Sequence, residues 1–579
     1  MTKPSLFLAL ALVVSLPSLG CNSAPSSEGT GGAGPPPGTG GAASGGATGG
    51  TGGASSSGGS AASGGASATG GTAGPASGGG TSTGGANAPG GASATGGISA
   101  GGGRGGAATS GGAAGGRAGA VGSGGAAGGS SGKLIRNDVF WKDTAGTPIY
   151  SQGGGVLLVG DTYYWYGVKY GGAVTYAAKP TSLNSDTSFA GVTVYSSKDL
   201  ATWKLENTIT FSNAGSWFGR IGVVYSSKTK KYVMVAQGAG GVFFATSDTP
   251  AGNYTFDNVA TNLSGIANGA TGDQTVFQDD DGKAYLICSS AMGRGNLYVV
   301  PLRDSDFLAL GTPTRIFGGV GREGNALFKY QGHYFFCSSD LHGWNASHTY
   351  CISATSITGP YGAEFVLNDT DADFSHVTQT GFFITVKGAS QSFVIFAGDR
   401  WSDFAGNGLG YNQWMPISFA GTTPTFQSLS EWSIDVAAGT WAVGPGNNFA
   451  LNPSFEADRV AMTTPAGWTS SGGTNVTGGH TGRWSWQLSD AGSLDQAVAS
   501  LPNGMYTLSA WIKGSGATGA KLYAKDFGGS DASASLASAS GTWTNVSLPG
   551  IAVSNGRCHI GASTTAGTLT IDDFLLVKN

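Results

Sequence analysis

Five times in the middle of this chain a short turn leads into an aromatic, β-branched run: "DTYYWYGVKY", "KKYVMVAQG", "DDDGKAYLICSS", "YQGHYFFCSSD" and "SQSFVIFAGDRW". The leading aromatics are Tyr163, Tyr232, Tyr285, Tyr334 and Phe393, at intervals of 69, 53, 49 and 59 residues. Each interval has room for a small antiparallel sheet. Long helical periodicity is absent. An all-β chain with a recurring turn-plus-strand unit predicts radial repetition, here a five-bladed β-propeller. A single large β-sandwich is the alternative, and the repeat count argues against it.

The flanks differ from this region. Lys3 followed by "SLFLALALVVSL" and "PSLGC" reads as an export signal, since the apolar run is too short to span a bilayer. Leu19-Gly20-Cys21 resembles the lipobox of bacterial lipoproteins, with Ser18 where Leu is usual. The resemblance implies a lipoprotein-type signal over 1–21, lipidation of Cys21 and a membrane anchor that does not span. An ordinary secretory signal is the other reading. Residues 22–132 are Gly, Ala, Ser and Thr with scattered Pro, and such a segment predicts a disordered tether. Globular composition begins at "KLIRNDVFWKD" and bounds the propeller at 133–447. Residues 448–579 again carry short strands, which predicts a β-sandwich.

Charged residues make up only 11% of the chain and the net charge is −4, so nothing marks a nucleic-acid partner. The chain is expected to be monomeric. After Cys21, four cysteines remain, with no CxxC pair and no zinc spacing. Cys337 and Cys351 fall on neighbouring strand-like runs, where they are either bridged or two buried thiols.

The ordered pieces "NDVFWKDTAGTPIYSQGGGVLL…YYWYG", "VYSSKDLATW", "DDDGKAYLICSS", "REGNALFKYQGHYF", "SSDLHGW" and "FAGDRW" together resemble glycoside hydrolase family 43, and within it the exo-β-1,3-galactanase-like group. That family's fold is a five-bladed propeller. The C-terminal "NPSFE", "GW", "YTLSAWIKG" and "IDDFLL" are similar to jelly-roll carbohydrate-binding modules. Such modules commonly hold a structural calcium. Glu456 and Asp572 are the carboxylates placed to ligate it, or else solvated strand-edge acids. No cofactor is implied for catalysis.

Glycoside hydrolysis requires a proton donor and, in an inverting enzyme, a group that activates water on the opposite face. Glutamate occurs only six times here, and Glu323 in "GREGNALFKY" stands where the resembling group has its general acid. Gly324-Asn325 replaces the usual Ala-Pro after it, and an ion pair with Arg322 is the competing role for Glu323. Asp273 in "TGDQTVFQDDDG" matches the aspartate that tunes the acid, since a nearby like charge disfavours ionisation. The run Asp279-Asp280-Asp281-Gly282 reads as a hairpin turn instead. No aspartate suits the base in "TPIYSQGGGVLLVGD". The matching residue is Gln379 of "HVTQTGFF", acting through its imidic tautomer or simply hydrogen-bonding the sugar or the water.

The resemblance also assigns sugar contacts to Trp344, Asp399, Arg400, Trp401 and Gln152, the last standing in place of a histidine. Core packing is the alternative for both tryptophans. Val168 and Gly219 replace two acids of the group. Trp468, Trp484, Trp486, Trp511 and Trp543 are many for one small core, so one or more is expected to face a ligand. The expected function is an exported, surface-anchored or secreted glycosidase acting on a galactan-type polysaccharide. The alternatives are a noncatalytic glycan-binding lipoprotein and a structural adhesion propeller without a sugar site.

Overall fold

A computed structural model of the chain describes residues 132–178, 186–215, 217–401, 411–458, 462–536 and 541–579. The signal segment with Cys21, and all of the 22–132 tract except Gly132, lie outside the described residues.

The repeat read from the sequence is the first hairpin of each of five four-stranded antiparallel sheets. Their innermost strands are Gln152–Val159, Phe218–Ser226, Thr271–Gln278, Glu323–Tyr330 and Gln379–Lys387. Tyr163, Tyr232, Tyr285, Tyr334 and Phe393 each sit near the start of the next strand outward, opposite Leu158, Tyr225, Phe277, Lys329 and Val386. Asp279–Gly282 forms the expected turn, with Gly282 at φ +83°. Asp279 also accepts from Lys329 Nζ at 2.7 Å and from Tyr334 Oη at 2.5 Å, which ties the third sheet to the fourth.

The propeller has one sheet more than the five expected. Lys133–Arg136 pairs with Glu431–Asp435, which pairs with Thr440–Val443, making a sixth sheet of three strands. It joins the start of the domain to its end, a pairing that the turn-plus-aromatic repeat does not register. Between this sheet and its neighbours lies a tryptophan cluster. Trp165 and Trp414 have ring centroids 4.9 Å apart, and Trp203 and Trp432 are buried with them. Other apolar layers fill each gap between consecutive four-stranded sheets. Cys337 and Cys351 face each other on paired strands and form a disulfide.

The C-terminal module is one eight-stranded antiparallel sheet folded over a single core. Its strands Trp484–Ala499, Gly504–Thr518 and Ala566–Lys578 are long enough to serve both layers. Trp468, Trp484 and Trp486 are buried in that core, whereas Trp511 and Trp543 are only half-buried.

Candidate active site

Every innermost strand of the five four-stranded sheets has a register irregularity near its start: between Gln152 and Gly155, Gly219 and Gly222, Thr271 and Gln274, Glu323 and Ala326, and Thr380 and Phe382. A bulge breaks the strict in–out alternation and re-aims one side chain. Gln152, Arg220, Asp273, Glu323 and Gln379 all lie at or beside these irregularities, so five strands deliver polar groups to one end of the propeller. All five residues are less than a tenth exposed.

Glu323 is at the centre. Its Oε1 accepts from Gln379 Nε2 at 3.0 Å and its Oε2 from Arg294 Nε at 3.2 Å. Asp273 lies alongside. Its Oδ2 receives Arg220 Nη2 at 2.7 Å and the Gly324 amide at 2.9 Å, while Oδ1 faces Arg294 Nη2 at 3.3 Å. Gly324 has φ +60°, and a Cβ there would lie 2.5 Å from the Thr380 carbonyl, so only glycine fits beside the acid.

Electrostatics separate the two carboxyls. Burial and the Asp273 charge push Glu323 up from 4.5 to about 7, against the pull of Arg294. Burial also acts on Asp273, but Arg220 and Arg294 outweigh it and hold this carboxyl below its usual range. Asp399 is pushed up by burial to about 6, with Arg220 opposing, and its Oδ1 accepts from the Gly153 amide at 3.0 Å. Two guanidiniums thus face three carboxyls. Keeping the proton on Glu323 leaves the cluster balanced, and the same carboxyl can then donate.

Gln379 is held at both ends of its amide. Its Oε1 accepts from Arg220 Nη2 and from Trp401 Nε1 at 2.9 Å, and its Nε2 donates to Glu323 and to the Gly343 carbonyl at 3.0 Å. Arg and Trp donate only, which fixes which end is the oxygen. A proton on Oε1, as the imidic tautomer requires, would point at two obligate donors. The arrangement therefore stabilises the ordinary amide.

Of the other expected contacts, Trp401 is buried 5.1 Å from the Arg220 guanidinium, and half-buried Trp344 packs edge-on against it at 4.9 Å. Gln152 is buried nearby, with Nε2 donating to the Arg400 carbonyl at 3.4 Å. Arg400 departs from the expectation. It alternates with Asp399, and its guanidinium turns to Asp138 at 3.4 Å, on the other side of the strand. Arg322 does not pair with Glu323, because Glu364 engages it at 2.6 Å. Sequence reasoning missed Arg220 and Arg294. The signal for Arg220 was a lone cation inside the apolar run "FGRIGVVY", where burial demands a partner.

In the module, Glu456 Oε1 accepts from the Arg483 and Trp484 amides, both at 2.7 Å, while Oε2 is buried without a partner. Asp572 Oδ2 accepts from the His480 amide at 2.6 Å. Burial pushes Glu456 up to about 8 and Asp572 well above its usual range, with Asp573 raising both and Glu456 raising Asp572. An orphaned carboxylate oxygen beside a second buried acid fits a hard cation. Among the described residues no group of three or more acidic, His or Cys side chains is placed to hold a metal, so backbone carbonyls would have to complete such a site. Nearby, His480 stacks on Trp511 at 3.9 Å, and Lys513 Nζ lies 4.3 Å from the Trp543 ring.

Residues 156–408 match the family described as Glycosyl hydrolases family 43. Among solved structures, the exo-β-1,3-galactanase from Phanerochaete chrysosporium with galactose is similar at 22% identity, over 77% of this chain and 100% of that one, with a TM-score of 0.49. The exo-β-1,3-galactanase from Clostridium thermocellum is similar at 23% identity over 62% and 86%, with a TM-score of 0.48. An arabinoxylan arabinofuranohydrolase from Bacillus subtilis is similar at 16% identity over 74% and 96%, with a TM-score of 0.36. No curated protein matches the chain.

Proposed function

We propose that this chain, whose propeller is a glycosyl hydrolase family 43 domain, is a galactan-degrading glycosidase that inverts the anomeric centre. Glu323 is the proton donor, Asp273 keeps it protonated, and Gln379 orients the attacking water or the sugar. The observation that carries the reading is the Glu323–Asp273 pair, whose environments push the two carboxyls apart so that one holds its proton near neutral pH. The galactan assignment rests on the motifs "REGNALFKYQGHYF", "SSDLHGW" and "FAGDRW". In the reaction, Glu323 gives its proton to the leaving oxygen as the glycosidic bond breaks. Water then adds at the opposite face of the anomeric carbon and releases its proton to solvent, from which the Glu323 carboxylate takes one back, so the bond is hydrolysed with no net change in the protein.

The second reading is a glycan-binding propeller without turnover. It is favoured by one observation, the amide form of Gln379 held by Arg220 and Trp401. Assaying galactans, arabinans and xylans for reducing sugar separates the two. The first reading expects hydrolysis of a galactan with an inverted product anomer, lost in Glu323→Gln. Glycan binding with no turnover by wild type supports the second.

Export, a lipid anchor on Cys21, a long tether, a monomeric state and a structural calcium between Glu456 and Asp572 belong to the same proposal. Radiolabelled palmitate incorporated by wild type and not by Cys21→Ser is the expected result for the anchor.

A further inference from the structure

The strand that carries Gln379 is entered through an unusual turn. Phe374, Ser375, His376 and Val377 have φ of 51°, 57°, 57° and 58°, four consecutive non-glycine residues in the left-handed region. Cβ crowds the following carbonyl there, so each residue is strained, and β-branched Val377 most of all. Such a run persists only where its surroundings over-determine it.

Two sets of contacts do so. The first is polar and lies within the propeller. Asp373 Oδ1 accepts the His376 amide at 2.9 Å, and its Oδ2 accepts from Ser428 Oγ. His376 donates from Nδ1 to Ser428 Oγ at 2.8 Å and from Nε2 to Asp138 at 3.0 Å. Ser375 Oγ donates to the Ser347 carbonyl at 2.8 Å, and the Ser347 amide donates to the Thr378 carbonyl at 3.0 Å. The second set is supplied by the C-terminal module. Val377 is buried against Ala457 of the module and Ala346, with Phe374 and Ala466 packed beside them. Gly467 approaches so closely that a Cβ on it would lie 2.5 Å from the carbonyl of Ala372, the residue before Asp373.

We propose that the C-terminal module is a working part of the propeller's site: it clamps the left-handed turn Phe374–Val377 and thereby fixes Gln379 against Glu323, with His376 and Ser428 as positioning residues. Only Thr378 separates the turn from Gln379, whose amide spans Arg220, Trp401, Glu323 and Gly343. A shift of the turn moves that amide directly. The module therefore has a role besides any ligand of its own. This inference rests on the glycosidase reading above only for its kinetic consequence; the clamp itself is structural.

The test compares Gly467→Ala with Gly550→Ala in the full chain. Both glycines lie in the module at nearly the same φ, +77° and +80°, but nothing lies within 4 Å of a Cβ at Gly550. The backbone penalty is thus matched and only the push on Ala372 differs. Gly467→Ala is expected to speed deuterium exchange of the peptide 374–381 and to lower kcat at least about tenfold, with KM within about twofold, because displacements of about 1 Å can cost ~10²-fold in rate. Gly550→Ala is expected to match wild type in both. Ser428→Ala is expected to act like Gly467→Ala, with Ser428→Thr restoring the rate, and if Gly467→Ala does not fold the module's share is decided by Ala457→Gly, which withdraws the module's methyl from Val377 and is expected to speed exchange at 374–381. Unchanged exchange at 374–381 in Gly467→Ala, or an unchanged kcat in Ser428→Ala, overturns the proposal. A wild type that hydrolyses no glycan defeats the glycosidase reading instead, and the exchange measurement still decides the clamp.

Discussion

At the scale of single residues, Glu323 has its proton because of what stands next to it. Asp273 accepts from Arg220 and the Gly324 amide and so remains ionised, while Glu323 is left with one guanidinium and an amide NH2. If Glu323 is the acid, the rate holds below about pH 7 and falls as pH rises through that value. Asp273→Asn removes the charge that raises Glu323 and leaves Arg220 and Arg294 less balanced. Both changes lower the Glu323 pKa, so the alkaline limb of kcat should move down by on the order of one pH unit. Glu323→Gln should lose about 10²- to 10⁴-fold in kcat with glycan binding retained. A pH–rate profile of the two variants checks both; an alkaline limb that Asp273→Asn leaves in place would refute the pairing. Glu323 and Asp273 were legible in the sequence because acids are scarce and the flanking strand motifs are distinctive. Arg294 was not, since its loop "MGRGNL" carries no pattern and only folding brings it to within 3.2 Å of Glu323.

At the scale of elements, the hairpins were legible because an aromatic run after a turn is a local signal. The bulges were not. A register shift such as that between Glu323 and Ala326 depends on the partner strand, and a partner 16 residues away writes nothing into the local pattern. The same limit kept the pairing of Lys133–Arg136 with Glu431–Asp435 out of sight, because that contact joins the two ends of the domain. It also left Cys337 and Cys351 undecided, which the register then settles by placing them opposite each other. Their bridge closes a loop of 14 residues that carries Gly343, the carbonyl partner of Gln379, and Trp344. Loop closure of this size is worth about 3 kcal/mol. The double variant Cys337→Ala/Cys351→Ala should therefore unfold at lower denaturant by about 2–4 kcal/mol. An unchanged midpoint would mean that strand pairing alone holds the loop.

At the scale of the whole molecule, several buried ionisable groups are raised together, while Asp273 and Asp138 are held below the usual carboxylate range by their cationic partners. Burial pushes Glu323 up to about 7, Asp399 to about 6 and Glu456 to about 8. Burial alone would lower His376, but Asp138 and Asp373 outweigh it and hold this residue at about 10. For these four groups the folded-state pKa is above the unfolded value, so above about pH 4, where Asp273 and Asp138 are ionised in both states, they bind more protons in the folded chain than in the unfolded one. For the carboxyls, stability is full below about pH 4 and is lost as pH rises to the folded pKa; for His376 it is full below 6.5 and is lost on rising through about 10. The chain without added metal should therefore lose stability steadily between pH 5 and pH 9. A calcium ion between Glu456 and Asp572 would reverse the module's share, because it binds the ionised pair that the bare fold disfavours. Adding calcium at pH 8 should raise Tm and adding it at pH 4.5 should not, since the carboxyls then hold protons instead. Glu456→Gln should abolish the increment at pH 8 and leave the metal-free Tm there higher than wild type, as it removes a carboxylate that burial disfavours more than Arg400 and two backbone amides stabilise it. A calcium response that survives Glu456→Gln would place the ion elsewhere. A metal-free Tm that does not fall with pH over this range would refute the raised acids, since a depressed carboxyl such as Asp273 is ionised in both states above about pH 4 and changes stability only below it.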